Sequence, residues 1–365
     1  MSFVSLFADM TYEGARSISG AYLEVLGASL IVAGGISLGE LVSYVARLAG
    51  GVIAHFAASS LAYWAIVISG YTINLVAVPL LAFAGSWEAA FTLYILERVG
   101  KGLRVPVRDT IIAEVSSGIG RGKAFAFHEL LDQVGGVAGP LVVAYSIASH
   151  GGSYREAFIV LAVPAAASII LLLAASIAYP RISSAQRLEV GLKKAITWKF
   201  TLYALGIALA MASFIHWGQA SYILSEIGGE QIALLYALVM AVDGLAAIPL
   251  GMAFDRWGLR VSLIIPLLTA AATLNILNGN IIAFTLAWGV SMGALEVLPK
   301  AAVAELVEAR ARSLAYSMLF ISMGLGWTIG NIVMACALPD TMVGSLTALG
   351  FAAASLIVLA AASRL

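Results

Sequence analysis

AEVSSGIGRGKAFAFHELLDQVGGVAG (113–139) and AELVEARARSLAYSMLFISMGLGWTIG (304–330) align without a gap after a shift of 191 positions. Ala113-Glu114 falls on Ala304-Glu305 and Arg121 on Arg312. Ala124-Phe125 falls on Ala315-Tyr316, and Gly135 and Gly139 fall on Gly326 and Gly330. Nearer the front of each half a shift of 200 sets Tyr22 on Tyr222, Gly51 on Gly251 and Arg16 on His216. Matches in one register at equivalent positions indicate a duplication, with the first half longer around its third and fourth helices.

The repeated material is apolar. Of 365 residues 61% are hydrophobic and 11% charged, with a mean hydropathy of +0.99. A soluble domain carries about 25% charged residues. Runs of around 20 apolar residues recur, enough to cross about 30 Å of hydrocarbon as helices, and the short alternating segments of a membrane barrel are missing. The expected fold is an all-α polytopic membrane protein with twelve transmembrane helices in two pseudo-symmetric six-helix bundles. The spans are read at 3–26, 30–54, 61–84, 88–108, 122–147, 157–179, 200–225, 231–252, 261–278, 281–302, 312–337 and 342–363. The expected domains are 1–180, a basic cytoplasmic linker at 181–199 with five basic residues and one acid, and 200–365.

Other bulk features exclude function classes. A single cysteine, Cys336, permits no disulfide framework or cysteine metal site within the chain. The N-terminus lacks a basic leader and reads as a first membrane helix. A net charge of zero argues against a nucleic-acid partner. VGKG is no phosphate loop, since the upstream glycine and the following hydroxyl residue are missing. Neither an enzyme nor a cofactor is expected.

Lysine and arginine orient the chain. With a cytoplasmic N-terminus, the inward connections hold Lys101, Arg104, Arg108, Arg121, Lys123, Arg256, Arg260, Lys300, Arg310, Arg312 and the linker residues. The outward loops offer only Arg155. Both termini are therefore expected in the cytoplasm, the membrane being the cytoplasmic one.

GMAFDRWGLR (251–260) resembles the loop motif of the major facilitator superfamily through Gly251, Asp255, Arg256, Gly258 and Arg260, between spans 8 and 9. Arg98 and Gly102 resemble that family's helix 4 arginine motif. Gly135, Gly139 and Pro140 in GGVAGP resemble part of its antiporter motif in helix 5. The chain as a whole is similar to a prokaryotic branch with an ERVGKGLR-type end to helix 4. The first-half copy of the loop motif is degenerate, with His55 and Phe56 where Asp255 and Arg256 stand in the second half. The resemblance implies a central cavity lined by helices 1, 4, 7 and 10, and lipid-facing helices 3, 6, 9 and 12.

The intramembrane charges fit those roles. Spans 3, 6, 9 and 12 have none in their cores, whereas charges at mid-bilayer are costly and face protein or water. Asp9, Glu13 and Arg16 are spaced four and three apart on one helix face, either an ion-pair ladder or a wall meeting substrate or a proton. Glu97 and Arg98 sit at cavity depth in ERVGKGLRVPVRDTIIAE (97–114), with Glu97 or Asp132 as the expected partner of Arg98. Lys101, Arg104, Arg108 and Asp109 mark the cytosolic exit, where Pro106 is expected to break or kink the helix. Glu40 and Asp243 lie in equivalent helices, as proton carriers or as simple ion-pair partners. His216 is a packing residue or a proton carrier. In HELLD (128–132), His128 and Asp132 lack the second histidine of a zinc site, so an ion-pair partner for helix 4 is expected.

These readings converge on a monomeric secondary transporter that moves a small solute by alternating access, with proton-coupled export favoured by the helix 5 motif. The open alternatives are a uniporter, a proton symporter, or a transport-inactive sensor or scaffold. The partners are the lipid bilayer, the solute and protons.

Overall fold

The computed structural model describes residues 1–57, 59–116, 120–182, 197–308 and 311–364. Most of the expected linker (183–196) and Arg310 lie outside the described residues. Among those described, nine stretches are long and apolar enough to cross a membrane. One of them, Gly229–Leu277, has 49 residues and takes in two expected spans. The chain is a multi-pass, all-helical membrane protein.

Two expected spans, the first and the fourth, fall outside those nine because they carry so much charge. The first forms α1 (Ser2–Ser17) and α2 (Ser19–Val25), broken at Ile18. The second is likewise divided into α3 (Leu30–Gly35) and α4 (Leu38–Ala57). Next come α5 (Ser60–Leu80) and α6 (Trp87–Val115), capped by Ser59 and Ser86 side chains that accept the N–H groups of Ala62 and Ala89. Pro106 does not break the fourth helix: α6 is continuous from Trp87 to Val115, past Arg108. Proline removes one backbone donor, which a long helix packed by its neighbours tolerates.

The helices α7 (Arg121–Ser149), α8 (Tyr154–Val160) and α9 (Ala162–Ala178) follow. After the linker come α10 (Trp198–Ala212), α11 (Trp217–Ile223) and α12 (Gly229–Trp257). Then follow α13 (Ile264–Leu277), α14 (Ile281–Leu306), α15 (Arg312–Ala337) and α16 (Thr341–Arg364).

The chain divides into two compact units. Unit 1 comprises Met1–Ala28, Val42–Glu189 and Ser221–Ala237; unit 2 comprises Ser29–Leu41, Val190–Ala220 and Leu238–Leu365. In unit 1, α1 packs on α7 and α9, while α5 packs on α6 and α9. In unit 2, α10 packs on α15 and α16, while α13 packs on α14 and α16. Each pairing in one unit has its counterpart in the other.

Glycines carry this correspondence. A Cβ on Gly135 or Gly139 of α7 would collide with the Leu6 or Met10 carbonyl of α1. A Cβ on Gly326 or Gly330 of α15 would collide with Ala208 or Ala212 of α10. Small residues let membrane helices approach this closely. These contacts pair Leu6 with Ala208 and Met10 with Ala212, a shift of 202 rather than 200 along the first helix of each half. By these contacts Gly14, not Arg16, corresponds to His216. Loops between helices absorb insertions, so one shift does not hold from helix to helix.

Candidate functional site

In unit 1 the charges of α1 meet those of α6. The Glu13 carboxylate lies 3.4 Å from Arg16 Nη1 and 3.6 Å from Lys101 Nζ. Its other oxygen accepts the Tyr236 hydroxyl at 2.7 Å. Lys101 Nζ also sits 4.0 Å over the Tyr12 ring, with the Arg98 and Arg104 guanidinium groups 5.6 and 5.8 Å from it. Arg98, Lys101 and Arg104 follow one another at intervals of three and so share a face of α6. An aromatic ring attracts cations through its quadrupole, so Tyr12 and Glu13 together offset this stripe.

Arg98 pairs with Glu97 at 2.7 Å. Neighbouring residues on a helix do not face each other, so Glu97 needs an outside hold. Asn74 of α5, fully buried, donates to both the Glu97 carboxylate and its backbone carbonyl. Asn74 Oδ1 in turn accepts from Arg104 Nη2 at 3.5 Å. Arg104 marks no exit to solvent: it is 0% exposed and stacks 3.8 Å from the Tyr71 ring. Lys101 likewise turns inward to Glu13 instead of marking the exit. A cation at this depth is retained because ring faces and an amide surround it.

Asp132 takes a different partner from the pair expected for Arg98. Its Oδ2 lies 3.9 Å from Arg108 Nη1 and 3.4 Å from His128 Nε2. Arg108 is otherwise held by Asp109 at 2.8 Å and reaches Ser5 Oγ at 3.4 Å. HELLD thus supplies an ion-pair partner for α6. Asp9 is 7% exposed, and its Oδ2 has no hydrogen-bond partner among the described residues.

In unit 2 an uncharged cluster surrounds a break in the backbone. Between α10 and α11 the helix unwinds at residues 213–216, which frees backbone groups that lipid could not satisfy. Side chains take them up. Thr273 Oγ1 accepts the Ile215 N–H at 3.0 Å and donates to the Ser213 carbonyl at 2.7 Å. Asn331 accepts the His216 N–H at 2.7 Å and donates to the Phe214 carbonyl at 3.0 Å. Trp327 and Trp288 donate to the carbonyls of Phe214 and Ile215 at 2.8 and 2.9 Å. The Phe214 ring lies 5.7 Å from Trp327 and 5.1 Å from Trp288. His216 Nδ1 accepts the Gly218 N–H at 3.0 Å, so the ring caps the start of α11 while lying 4.7 Å from Trp327.

Asp243 is buried on α12, its backbone carbonyl against Gly293, and Glu40 is half-buried on α4. Of the loop motif, Gly258 holds φ +59°, a conformation glycine adopts freely, and lies beside the Glu305 carboxylate. Asp255, Arg256 and Arg260 are exposed, while Gly251 packs near Val297. At the first-half turn, Ser60 exchanges hydrogen bonds with the Ile182 backbone, and Trp64 donates to the Tyr179 carbonyl at 3.0 Å. Pro140 lies within the unbroken α7.

Sequence reading missed Tyr12, Tyr71, Asn74, Tyr236, Thr273 and Asn331. Asn74 and Asn331 carried a usable signal, since a lone amide in an apolar span must find a partner.

Comparison with known proteins supports one fold. A protein of Mycobacterium tuberculosis described as uncharacterized is 36% identical over 357 residues, covering 94% of this chain and 86% of that protein. A Mycobacterium bovis protein matches equally. A Thermoproteus tenax protein is 28% identical over 231 residues, covering 62% of this chain and 56% of that protein. Among solved structures, the nucleoside transporter NupG superposes with a TM-score of 0.72 at 15% identity, covering 100% of this chain and 97% of that one. The peptide transporter POT in complex with sulfate gives 0.77 at 17% identity, covering 100% and 93%. No family model matches the chain.

Proposed function

We propose that this chain, which belongs to one family with the mycobacterial proteins and has the fold of major-facilitator-type transporters, is a proton-coupled secondary transporter of a small solute. Its twelve spans form two pseudo-symmetric six-helix bundles in the cytoplasmic membrane, with both termini inside. The bundles alternate access to a site near the membrane midplane.

The observation that carries coupling is the contrast between two acids one turn apart on α1. Glu13 has Arg16, Lys101 and Tyr236 around its carboxylate, a set that holds it as the anion. Asp9 Oδ2 is buried without a partner. A buried carboxylate that lacks a partner takes up a proton rather than stay charged. Asp9 is therefore the proton carrier, Glu13 the fixed anion of the cation stripe, and Arg98 with Glu97 a cavity ion pair.

The export direction rested on Gly135, Gly139 and Pro140. Packing against α1 accounts for both glycines, as packing against α10 accounts for Gly326 and Gly330. The proposal is accordingly coupled transport, without the antiport step.

The test places purified protein in liposomes with an internal pH dye and adds a panel of nucleosides, peptides, amino acids and organic acids. At least one solute should evoke proton movement, and Asp9→Asn should abolish that movement while solute counterflow persists. Solute flux without proton movement would leave a uniporter. Neither flux from folded protein would sink transport and favour the sensor.

A further inference from the structure

We propose that Asp132, positioned by His128, forms the water-side entry of a proton relay that loads Asp9, which makes α7 a working part of the coupling apparatus. The inference rests on Asp9 being the proton carrier.

The two acids lie near the contact between α1 and α7. The Asp9 side chain lies against Gly135 of α7, where an added Cβ would come 3.1 Å from Asp9 Cβ. Asp132 precedes Gly135 by three residues and shares its helix face. Both acids keep one buried oxygen with no hydrogen-bond partner, Asp9 Oδ2 and Asp132 Oδ1. The remaining oxygen of Asp132 faces Arg108 and His128.

The two acids differ in access to water. The Asp132 side chain is 18% exposed, whereas Asp9 as a residue is 7% exposed. His128 Nδ1 lies 3.3 Å from Ser2 Oγ, so the entry sits where α1 and α7 both begin. The charged and titratable groups around the pair are Glu13 on α1 and Tyr71 on α5. On α6 they are Lys101, Arg104, Arg108 and Asp109, and on α7 His128 and Glu129. α9 also packs on α1 and has no titratable side chain.

In the relay, a hydronium ion protonates Asp132 at its exposed side and leaves as water; the neutral carboxyl turns and passes the proton to Asp9 Oδ2 directly or across one water. Asp132 returns to the carboxylate held by Arg108, and Arg108 keeps its charge throughout, held by Asp109. Glu13 lies beyond, already saturated with donors, and does not take the proton.

The experiment is infrared spectroscopy of the full chain in lipid, reading the protonated-carboxyl band and its rate of hydrogen–deuterium exchange. Asp9→Asn should remove the band. Asp132→Asn should leave the band in place and slow its exchange about tenfold or more, with Asp132→Glu restoring the rate. His128→Gln should slow exchange in the same direction and serves if Asp132→Asn does not fold. A band lost in Asp9→Asn whose exchange is indifferent to Asp132→Asn and His128→Gln would overturn the relay and leave the carrier standing. A band that survives Asp9→Asn would overturn the carrier and the relay together.

Discussion

Unit 1 and unit 2 each bring their own helices together in the same pairs, yet one holds a cluster of ion pairs where the other holds neutral side chains around a broken helix. Where α1 meets α6, acids, arginines and a lysine interlock around Tyr12. Where α10 meets α13, α14 and α15, threonine, asparagine and two indoles serve an unwound backbone. The glycine contacts that set helix approach are the same in both. Duplication thus preserved the packing, which depends on small residues at the contact. The inward-facing side chains, which packing does not dictate, diverged into a cluster of ion pairs in one unit and a cluster of neutral backbone partners in the other.

That contrast can be broken, and the largest effect is expected at Glu13. Glu13→Gln leaves Lys101 and Arg16 buried without their carboxylate, and removing one partner of a buried pair costs about 3–5 kcal/mol. Thermal unfolding of the purified protein reads it; a change below a few tenths of that would mean water already screens the cluster. Tyr236→Phe should cost about 1.5–3 kcal/mol, the range for a hydrogen bond to a charged group. The same measurement on Glu13→Gln/Tyr236→Phe should show the second loss vanish, because the charge it served is gone.

In the neutral cluster, Thr273→Val keeps shape and removes the hydroxyl, leaving the Ile215 N–H without its acceptor for about 1–3 kcal/mol. Its effect should be indifferent to salt, unlike that of any exposed ion pair. Paired substitutions sharpen the likeness instead. Gly139→Ala and Gly330→Ala should each cost about 1–3 kcal/mol by overpacking, and equal losses are expected because the contacts correspond. Smallest of all, Arg256→Ala on the exposed loop should stay within about 0.5 kcal/mol in stability. If it slows solute flux all the same, the loop motif acts on conformational exchange alone.

How far the sequence led can be judged residue by residue. Apolar runs fixed the membrane class, and the register of Gly135 and Gly139 on Gly326 and Gly330 survived as real packing contacts. Asp9, Glu13 and Arg16 were legible as one face because helical spacing alone decides which residues share a face. The partner across that face was not. Arg104 and Lys101 read as exit charges by loop position, yet they turn inward onto Tyr71, Tyr12 and Glu13. Of the two acids expected beside Arg98, Glu97 pairs with it while Asp132 meets Arg108. The break at 213–216 left no signal at all: no proline or glycine marks it, and only Thr273, Asn331, Trp288 and Trp327 from distant helices make it affordable in lipid.

The sequence by itself therefore determined the class, the duplication and the face of each amphipathic helix, since hydrophobic length and helical period are local properties. Tertiary structure decided which charges pair, which amide steadies Glu97, and where a helix unwinds. Those outcomes depend on which helix lies opposite at that depth, and hydrogen-bond partners in a membrane are chosen across space, where neighbours in sequence have no privilege.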